Sequence, residues 1–560
     1  MFIKGKKSIL PITLSVFAFI TCILFLTGGG GRETTGARVS GTDYLNMESE
    51  MPIVKEKITL HLVMPKDVGQ GQASDIWFWT WAEKEMNIHF DITQIDYAGF
   101  RERVNLMLAS NELPDIFFRS GFSTVNILNY GQKEGQLIPL NELIENYAPA
   151  LNNFFKQTPS FRAQSTCPDG NIYFLPGVNT GLPQQPSSLR PWINMEWVNK
   201  LGLRMPETLD EFYNVLTAFR DRDPNGNGLK DEIPMIGSPN AMTNSIAIIT
   251  AAFGFPEPYS WSPVVVNDQV KLFAASPLYG EYLRYMNRLF SEELLDNDFY
   301  TNTTILINAK ATQMRVGVHA GASPASLTPD PGAWSQYEAL SPMTSQWNSK
   351  QMWVDNADIN IGNFAVTNVC KYPEAAIRFG DFFFTDKGSI YQHYGPPKDS
   401  PDLLGMHEGW FFDNTGAVVY NRPAEYGTDQ DYRLGAISAN PLISFGNNDF
   451  TTQIENMTGL KFMNAPNAQA WRDSMYKYII PHIIPKYPIV YFNDEQNDRF
   501  LELSTMLSDY ITMMDARFIT GAEPLSNIPV YLDRIRSMGA DELEKLYQDA
   551  YNIYRRNLGQ

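Results

Sequence analysis

The stretch between residues 57 and 118 constrains the fold most, because strand-like and helix-like patterns alternate along it. The sequence "KITLHLVMP" alternates apolar and polar residues as a half-buried strand does, and "IHFDITQID" and "LPDIFF" predict two further strands. The sequences "DIWFWTWAEKEMN" and "FRERVNLMLASNE" lie between these strands, and the second has a helical pattern. Strands that alternate with helices in this way are typical of a parallel sheet, so we expect an α/β fold.

The first of these intervening stretches has two interpretations. Trp77, Trp79 and Trp81 alternate as they would on a strand, but Trp77 and Trp81 also share one face of a helix. The Glu-Lys-Glu-Met sequence that follows favours a helix, and both Trp77 and Trp81 are expected in the core. The chain has 560 residues, which is too long for one ordinary hydrophobic core. Two lobes or domains are therefore expected.

Charge and cysteine content exclude several classes of protein. The formal net charge is −18, and nucleic-acid binding depends on positive charge that neutralises phosphates, so no nucleic-acid partner is expected. Cys22, Cys167 and Cys370 are the only cysteines, which is neither a disulfide framework nor a metal-thiolate pattern. The sequence also lacks the H-E-x-x-H, G-x-S-x-G and G-x-x-x-x-G-K-[ST] motifs of common hydrolases and nucleotide-binding proteins.

The N-terminus predicts export. Residues 1–28 combine a lysine-rich start with a long apolar run, and residues 29–54 are rich in Gly, Ser and Thr, which is typical of a flexible tether. A lipoprotein signal needs a cysteine after Leu-Thr-Gly, but Gly29 occupies that position, and Cys22 follows Thr21 where a small residue is needed. We expect an extracytoplasmic protein at the cell surface or in the periplasm, tethered to the membrane by a means that the missing cysteine leaves open.

The stretch "RDRDPNGNGLKDEIP", residues 220–234, resembles a calcium loop. Thr208 and Glu211 predict the capped start of the helix that leads into it. The generic pattern D-x-[DN]-x-[DN]-G-x5-E is satisfied from Asp221 to Glu232, although the ninth position of that register, Leu229, has no side-chain oxygen.

A register that begins two residues later, at Asp223, gives Leu229 a normal role in the loop. It places Gly228 at the turn and lets Leu229 contribute its carbonyl, which is the normal role of the seventh position. Pro234 replaces the usual last glutamate, so the loop would be a shortened one. A solvated turn without metal is the alternative. A loop filled by protein oxygens leaves little room for a substrate, so a structural calcium ion is expected. Its predicted ligands are Asp223, Asn225, Asn227, Leu229, Asp231 and Glu232.

The sequence from Trp192 to Pro234, together with "LPDIFF", "GQLIPLNELIENYAP", "DGNIYFLPG", "KYPEAAIRFGDFFFTDKG" and "HEGWFF", resembles a known family. It is similar to the extracellular solute-binding proteins of family 1, in the branch that includes the alginate-binding periplasmic proteins. The Asp-Pro-Asn-Gly-Asn-Gly run is the most specific motif, and members of this branch hold calcium there. The resemblance implies the same six ligands in this chain.

The resemblance also implies a two-lobed, type II periplasmic-binding-protein fold. Each lobe would contain a mixed or parallel sheet flanked by helices, and the C-terminal part would be rich in helices. The first lobe would comprise residues 55–180 and 345–392, and the second lobe residues 181–344 and 393–560, including the calcium loop at 221–232. Such a protein is a monomeric receptor, not an enzyme. It captures an oligosaccharide or another small solute between its lobes and delivers it to the membrane permease subunits of an ABC importer.

Candidate ligand-binding residues lie at the ends of these recognised segments. Sugars present apolar faces that stack on aromatic rings and polar edges that form hydrogen bonds with charged and amide side chains. Core packing is the alternative for each tryptophan, and a structural role is the alternative for the histidine. The candidates are Arg119, Trp192, His319, Trp353, Asp358 and Trp410.

Two other functions remain open from the sequence. A secreted glycoside hydrolase or lyase would need a pair of carboxylates, and a chain with 62 acidic residues contains many possible pairs. A surface sensory or adhesion protein would bind the same ligand without serving a transporter. Product formation from an oligosaccharide would identify the enzyme, and neighbouring permease genes would identify the transport receptor.

Overall fold

The computed structural model describes residues 41–67, 69–179, 189–239, 243–328, 331–354, 358–412, 418–427, 429–439 and 466–560. The predicted export signal at residues 1–28 and the start of the tether lie outside this part of the chain. Within it, no helix is long and apolar enough to cross a membrane. The expected α/β fold is confirmed, because helices alternate with strands in sheets that contain both parallel and antiparallel pairs.

The strands follow the pattern expected for the first part of the chain. All three strands predicted between residues 57 and 118 are present as β1, β2 and β3. The strands are β1 Ile58–Lys66, β2 Ile88–Asp96, β3 Ile116–Phe118, β4 Leu175–Asn179, β5 Arg190–Asn194, β6 Ile233–Met235, β7 Pro263–Val266, β8 Gln269–Leu272, β9 Val316–Gly321, β10 Tyr337–Ala339, β11 Trp353–Val354, β12 Asp358–Val366, β13 Trp410–Phe412, β14 Val418–Tyr420 and β15 Ile483–Ile484.

Helices are numerous, and the second half of the chain contains the longest of them. The main helices are α1 Trp77–Met86, α2 Tyr97–Ser110, α3 Thr124–Ile127, α4 Asn141–Tyr147, α5 Pro149–Gln157, α6 Pro159–Ser165, α7 Met195–Lys200, α8 Leu209–Asp221, α9 Ile246–Thr250, α10 Tyr279–Ser291, α11 Thr304–Thr312, α12 Pro331–Trp334, α13 Pro373–Phe382, α14 Asp386–His393, α15 Asp429–Tyr432, α16 Pro466–Tyr478, α17 Asp494–Ile519, α18 Ile528–Ser537 and α19 Ala540–Asn557.

The tryptophan-rich stretch is the helix α1, as its Glu-Lys-Glu-Met sequence indicates. Trp77 and Trp81 are buried and stack with their ring centroids 5.6 Å apart, which confirms that both belong to the core. Thr208 caps α8 by accepting a hydrogen bond from the Glu211 backbone N–H at 3.2 Å. The Glu211 carboxylate in turn accepts a hydrogen bond from the Glu207 backbone N–H at 2.9 Å.

Two sheets organise the molecule. The first has the order β2-β1-β3-β12-β4, in which β1, β2 and β3 are parallel and β12 is antiparallel to both β3 and β4. The second has the order β10-β5-β9-β6, in which β6 and β9 are parallel and β5 is antiparallel to both β9 and β10. Each sheet is covered by its own helices, so each has a separate hydrophobic core.

The cores divide the chain differently from the expected lobe boundaries. Trp353 lies in the core of the second sheet, and Trp347 stacks on Phe253 there at 4.6 Å, although residues 345–354 were expected in the first lobe. Conversely, Trp410 and Ile437 lie in the core of the first sheet, although residues 393–439 were expected in the second lobe. In both cases the reason is the burial of apolar side chains. Trp353 packs into the core of the second sheet, and Trp410 and Ile437 pack into the core of the first sheet.

A crossing segment, residues 485–491, joins the two cores. It begins after β15, which pairs with β11, and Tyr491 at its far end packs into the core of the first sheet. The Ile489 N–H donates to Gln164 Oε1 of α6 at 2.8 Å. Helix α17 then returns the chain to the core of the second sheet, where Leu503 and Leu507 are buried. The crossing segment therefore packs against the first lobe, and the chain then returns to the second lobe.

Candidate functional site

In both sheets, the carboxyl ends of the parallel strands lie at the edge from which the chain continues to the other sheet. Strands β1 to β4 end at one edge of the first sheet, and β12 begins there, with Asp358 opposite Asn179. The next described residues after Asn179 lead into β5, whose first residue, Arg190, pairs with Gly321 at the carboxyl end of β9. In open α/β sheets, ligands bind at such carboxyl edges. These two edges are therefore the candidate site.

Arg119 is the central residue at the first edge. It follows β3 directly and has a left-handed backbone with φ of 58°, which is uncommon for a residue with a side chain. Its guanidinium Nη2 lies 2.6 Å from Asp67 Oδ2, and the whole residue is only 5% exposed. Its Nε and Nη1 donate to no partner among the described residues. A buried cation with two unused donors is suited to bind the hydroxyl or carbonyl oxygens of a ligand.

Two neighbours share this property. Gln70 Nε2 is buried without a partner in the described part of the chain, while Gln70 Oε1 accepts from the Asp67 N–H at 3.0 Å. Both polar atoms of the Asn363 side chain are also buried and unpaired there, and its backbone carbonyl accepts from the Arg119 N–H. We call Asp67, Gln70, Arg119 and Asn363 the edge cluster. Because unpaired buried polar atoms are costly, their concentration at one edge indicates a place for a polar ligand.

The second edge carries Arg190, Trp192 and His319. Arg190 Nη1 donates to the Ala322 carbonyl at 2.7 Å, and burial lowers the pKa of Arg190 to about 10. Trp192 and His319 are paired across β5 and β9. The Trp192 ring is fully buried, and its Nε1 donates to the Gly321 carbonyl at 2.9 Å, so it offers no exposed face.

His319 is a buried, neutral side chain. Its Nε2 has no partner among the described residues, and burial lowers its pKa to about 3. The unfolded chain binds a proton near pH 6.5, but the folded state does so only near pH 3. The contribution of His319 to stability is therefore complete above about pH 6.5 and decreases as the pH falls below that value.

Replacing His319 with Gln should flatten the acid side of the stability profile. Between pH 6.5 and pH 5 the wild-type chain should lose about 2 kcal/mol of unfolding free energy through this group, and the His319→Gln variant should not lose it. Urea unfolding at several pH values would measure the difference between the two proteins. Parallel profiles would contradict the assignment of a neutral His319.

Of the other three candidates, Trp353 and Trp410 do not join these residues at the edges. Trp353 is 2% exposed in β11, and Trp410 is 1% exposed in β13 with its Nε1 donating to the Gly395 carbonyl at 2.9 Å. Asp358 begins β12 at the first edge, but its side chain lies outside the described residues. Of the six candidates, Asp358, Trp192 and His319 thus lie on strands that reach the two edges, and Arg119 directly follows such a strand. Trp353 and Trp410 are packed in cores.

The loop after α8 is held together by its own polar groups. Asp223 accepts hydrogen bonds from the backbone N–H groups of Gly226, Asn227 and Gly228 at 2.8 to 3.1 Å. The side-chain amides of Asn225 and Asn227 both donate to Asp231 Oδ1. This arrangement follows the register that begins at Asp223. Asp221 points away and forms an ion pair with Arg220 on the surface.

Glu232 provides the test of whether the loop suits a cation. Both of its carboxylate oxygens are buried without a partner in the described part of the chain. Its pKa is raised, first by burial and then by the charges of Asp223 and Asp231. Across the described residues, no three His, Cys, Asp or Glu side chains are close enough to form a metal site by themselves. Amide and carbonyl oxygens complete the donor set of a hard cation, however, so the residues fit calcium.

The loop is also tied to the second sheet. Arg315 Nε donates to the Asp231 carbonyl at 2.6 Å and lies 3.2 Å from Asp231 Oδ2. Arg315 immediately precedes β9, and Asp231 lies two residues before β6, its parallel neighbour. On the other side, Lys200 Nζ donates to the Pro224 carbonyl at 2.6 Å.

Comparison with known proteins identifies the family. The family model described as "Bacterial extracellular solute-binding protein" matches residues 67–390, which is more than half of the chain. The chain belongs to this family. The expectation of a non-enzymatic solute receptor is thereby confirmed, as is the two-lobed fold, which the solved relatives share.

Several relatives of this solute-binding protein are known. The fructooligosaccharide ABC transporter substrate-binding protein FusA of Streptococcus pneumoniae is 24% identical over 99% of this chain and 98% of its own. Structures of FusA with kestose, and of a FusA EF-hand mutant with fructo-nystose, each cover 89% of this chain and all of their own, with 23% identity and a TM-score of 0.70. An HMO binding protein from Bifidobacterium longum infantis covers 89% of this chain and 99% of its own, with 20% identity and a TM-score of 0.72.

The structure of this solute-binding protein also places residues at the edges that the sequence did not single out. Tyr259 and Trp261 stack at 5.0 Å, are partly exposed, and contact the loop after β6 through the Tyr259 hydroxyl and the Pro239 carbonyl. At the first edge, Tyr97 opens α2 directly after β2 and is 67% exposed. Two features of the sequence could have indicated these places, although weakly. They are the paired aromatic residues in "PYSWSP" and the glycine beside Asn363 in the interior of β12.

Proposed function

We propose that this solute-binding protein captures a neutral oligosaccharide between its two lobes and delivers it to the membrane subunits of an ABC importer. The relation to FusA over 99% of the chain carries this proposal. The HMO binding relative supports the same class of ligand. The chemistry of the edges agrees with it, since sugars need both hydrogen-bond donors and aromatic faces.

Each edge has a defined part in this mechanism. Arg119, with Gln70 and Asn363, would bind sugar oxygens through the buried atoms that have no partner among the described residues. The partly exposed rings of Tyr259 and Trp261 would stack on a sugar face from the other lobe. Since Asp67 already neutralises Arg119, a neutral sugar fits the edge cluster better than a uronate, whose charge would lie close to the Asp67 carboxylate.

The lobes that close on the ligand follow the two cores. The first lobe would contain the described residues of 41–179 and 358–439, and the second would contain those of 189–354 and 466–560 apart from the crossing segment. Closure of the lobes about their connections, of which the crossing segment 485–491 is described, would bring the edge cluster and the rings of Tyr259 and Trp261 to the same ligand. Such hinge closure is an established motion of binding proteins. A monomer suffices for it.

The loop after α8 is proposed to hold a structural calcium ion. The ligands would be Asp223, Asn225, Asn227, the Leu229 carbonyl, Asp231 and Glu232, and the unpaired Glu232 carboxylate is the feature that supports them. The ion would supply the positive charge that these oxygens share. The EF-hand named in the FusA structure is consistent with this proposal. We further propose that residues 1–28 direct export and that residues 29–54 tether the protein at the extracytoplasmic membrane surface.

Titration calorimetry tests the ligand. The purified protein would be titrated with kestose, with a longer fructooligosaccharide, with a human-milk-type oligosaccharide and with a uronate oligomer, and each mixture would then be examined for shorter products. Saturable binding of at least one neutral oligosaccharide without cleavage is expected. Binding of the uronate alone, or release of products, would contradict the proposal.

A further inference from the structure

A cavity of about 340 Å³ lies where the two lobes and the crossing segment meet. Its walls come from α6 and the start of β12 on the first lobe, from residues 485–489 of the crossing segment, and from Tyr554 of α19 on the second lobe. The volume is within the range of small-ligand pockets, near its lower end. No residue predicted from the sequence to bind ligand or metal lines it.

The cavity is close to the edge cluster. Asn360 lines the cavity and Asn363 belongs to the edge cluster, and both lie on β12. Three residues of strand separate their Cα atoms by at most about 10 Å. The pairing of β12 with β4 is irregular between Asn360 and Phe364, and Gly362 in this interval has a φ of 65°. The strand thus bends between the two places, and one oligosaccharide is long enough to contact both.

The walls combine ring faces with polar groups. Phe161, Tyr487 and Tyr554 contribute aromatic rings, and Pro485 and Pro488 add apolar surface. Some polar groups are already engaged in holding the walls: Tyr487 Oη donates to the Tyr547 carbonyl at 2.7 Å, and Gln164 bonds the crossing segment as described above.

Other polar groups of the walls are available. The Asn360 amide, the Ser160 hydroxyl and the Tyr554 hydroxyl line the cavity, and none of them has a side-chain hydrogen bond to another described residue. Among the described residues, the wall contains an amide, hydroxyls and one cation, Lys486, and no carboxylate. Together with the aromatic rings, these groups are suited to a polyhydroxylated ring. The same surroundings disfavour an apolar ligand, because it would cover these groups without replacing their bonds to water.

We propose that this cavity is a carbohydrate subsite that receives one terminal sugar ring of the ligand held by the edge cluster. The inference rests on the proposed oligosaccharide function and adds the position of one end of the sugar chain. The half-buried ring of Tyr554 provides the stacking face, and Asn360 and the Tyr554 hydroxyl form hydrogen bonds with the ring hydroxyls. Because the walls come from both lobes, the subsite is complete only when the lobes are in the arrangement seen here.

The test compares ligands of different length on variants of the full chain. Asn360→Ala and Tyr554→Phe each remove one polar group and keep the backbone and, for Tyr554, the ring. Each should weaken the binding of a longer fructooligosaccharide by about threefold to tenfold, the value of one hydrogen bond. A monosaccharide, which is too short to reach the cavity from the edge cluster, should lose no affinity. Tyr551→Phe is the control, since Tyr551 stacks on Tyr554 from the same helix but does not line the cavity.

The outcomes separate the two proposals. If the wild-type protein binds no oligosaccharide, the proposed function itself fails. If the wild-type protein binds oligosaccharides and the Asn360→Ala and Tyr554→Phe variants bind the longer one equally well, the subsite is wrong and the function stands. An equal loss in the Tyr551→Phe control would also overturn the subsite, because it would show a general effect of α19. Melting temperatures of all variants close to that of the wild type confirm that each is folded.

Discussion

Replacing Arg119 with Met should reduce the affinity for oligosaccharide by at least about 100-fold. Two donors of this buried cation, Nε and Nη1, are unused by the described residues, and hydrogen bonds from charged groups contribute about 1.5–3 kcal/mol each. The same change should lower the unfolding free energy by about 3–5 kcal/mol, because it leaves the Asp67 carboxylate buried without its partner. Calorimetry and urea unfolding measure the two effects separately.

A double variant distinguishes ligand binding from structural support. In Asp67→Asn/Arg119→Met no charge is left buried, so most of the lost stability should return while the affinity stays low. Arg103→Met, at an exposed position of α2, is the matched control and should change neither quantity. If the double variant regained both stability and affinity, Arg119 would have only a structural role, and the edge cluster would not be the ligand site.

Removing calcium should destabilise the protein, and the Asp223→Ala variant should no longer respond to its removal. A ligand that binds only the folded state contributes about 3 kcal/mol when its concentration is one hundred times its Kd. EDTA should therefore lower the melting temperature of the wild-type chain by several degrees, and added calcium should restore it. Asp223→Ala removes a predicted ion ligand and the acceptor of three backbone N–H groups, so it should melt low with or without EDTA.

Asp221→Ala is the control for the choice of register. Asp221 would be the first ligand of the generic calcium pattern, but it is exposed and paired with Arg220. The variant should keep the full response to EDTA, and its stability should change by less than about 1 kcal/mol. Loss of the EDTA response in Asp221→Ala would favour the earlier register. Absence of any response in the wild type would leave the loop as a solvated turn.

Local sequence patterns predicted the elements of the first sheet well. The strands β1 to β3 and the helix α1 could be read from residues 57–118, because alternation and helix propensity agree there with what the core requires. The lobe boundaries could not be read in the same way. Trp410 packs on the first core after a long stretch of irregular chain, and no periodicity in "HEGWFF" indicates which of two cores an apolar side chain will enter.

The position of a candidate residue could be predicted only where backbone direction determines it. Arg119 follows a buried strand, so its place at the carboxyl edge could be inferred from the sequence. Gln70 and Asn363 could be recognised only from side-chain atoms that have no partner in the described part of the chain. Tryptophan content did not indicate which residues line the candidate site. Trp192 and Trp410 are buried, and their indole N–H groups donate to backbone carbonyls within the cores. An indole ring has the same appearance in a sequence whether it stacks on a sugar or fills a core.

Because the loop after α8 is attached to one end of the second sheet, the stability of the protein and its ligand preference depend on different ends of that sheet. Arg315 and Asp231 meet where β6 and β9 begin, and Gly321, at the end of β9 that we propose to face the ligand, lies roughly 17 Å further along that strand. Calcium bound as proposed would act at the end of the sheet remote from the proposed solute site. An organism could therefore alter this loop to adjust how long the receptor survives proteases and heat outside the cytoplasm, and evolve its sugar preference independently at the opposite edge.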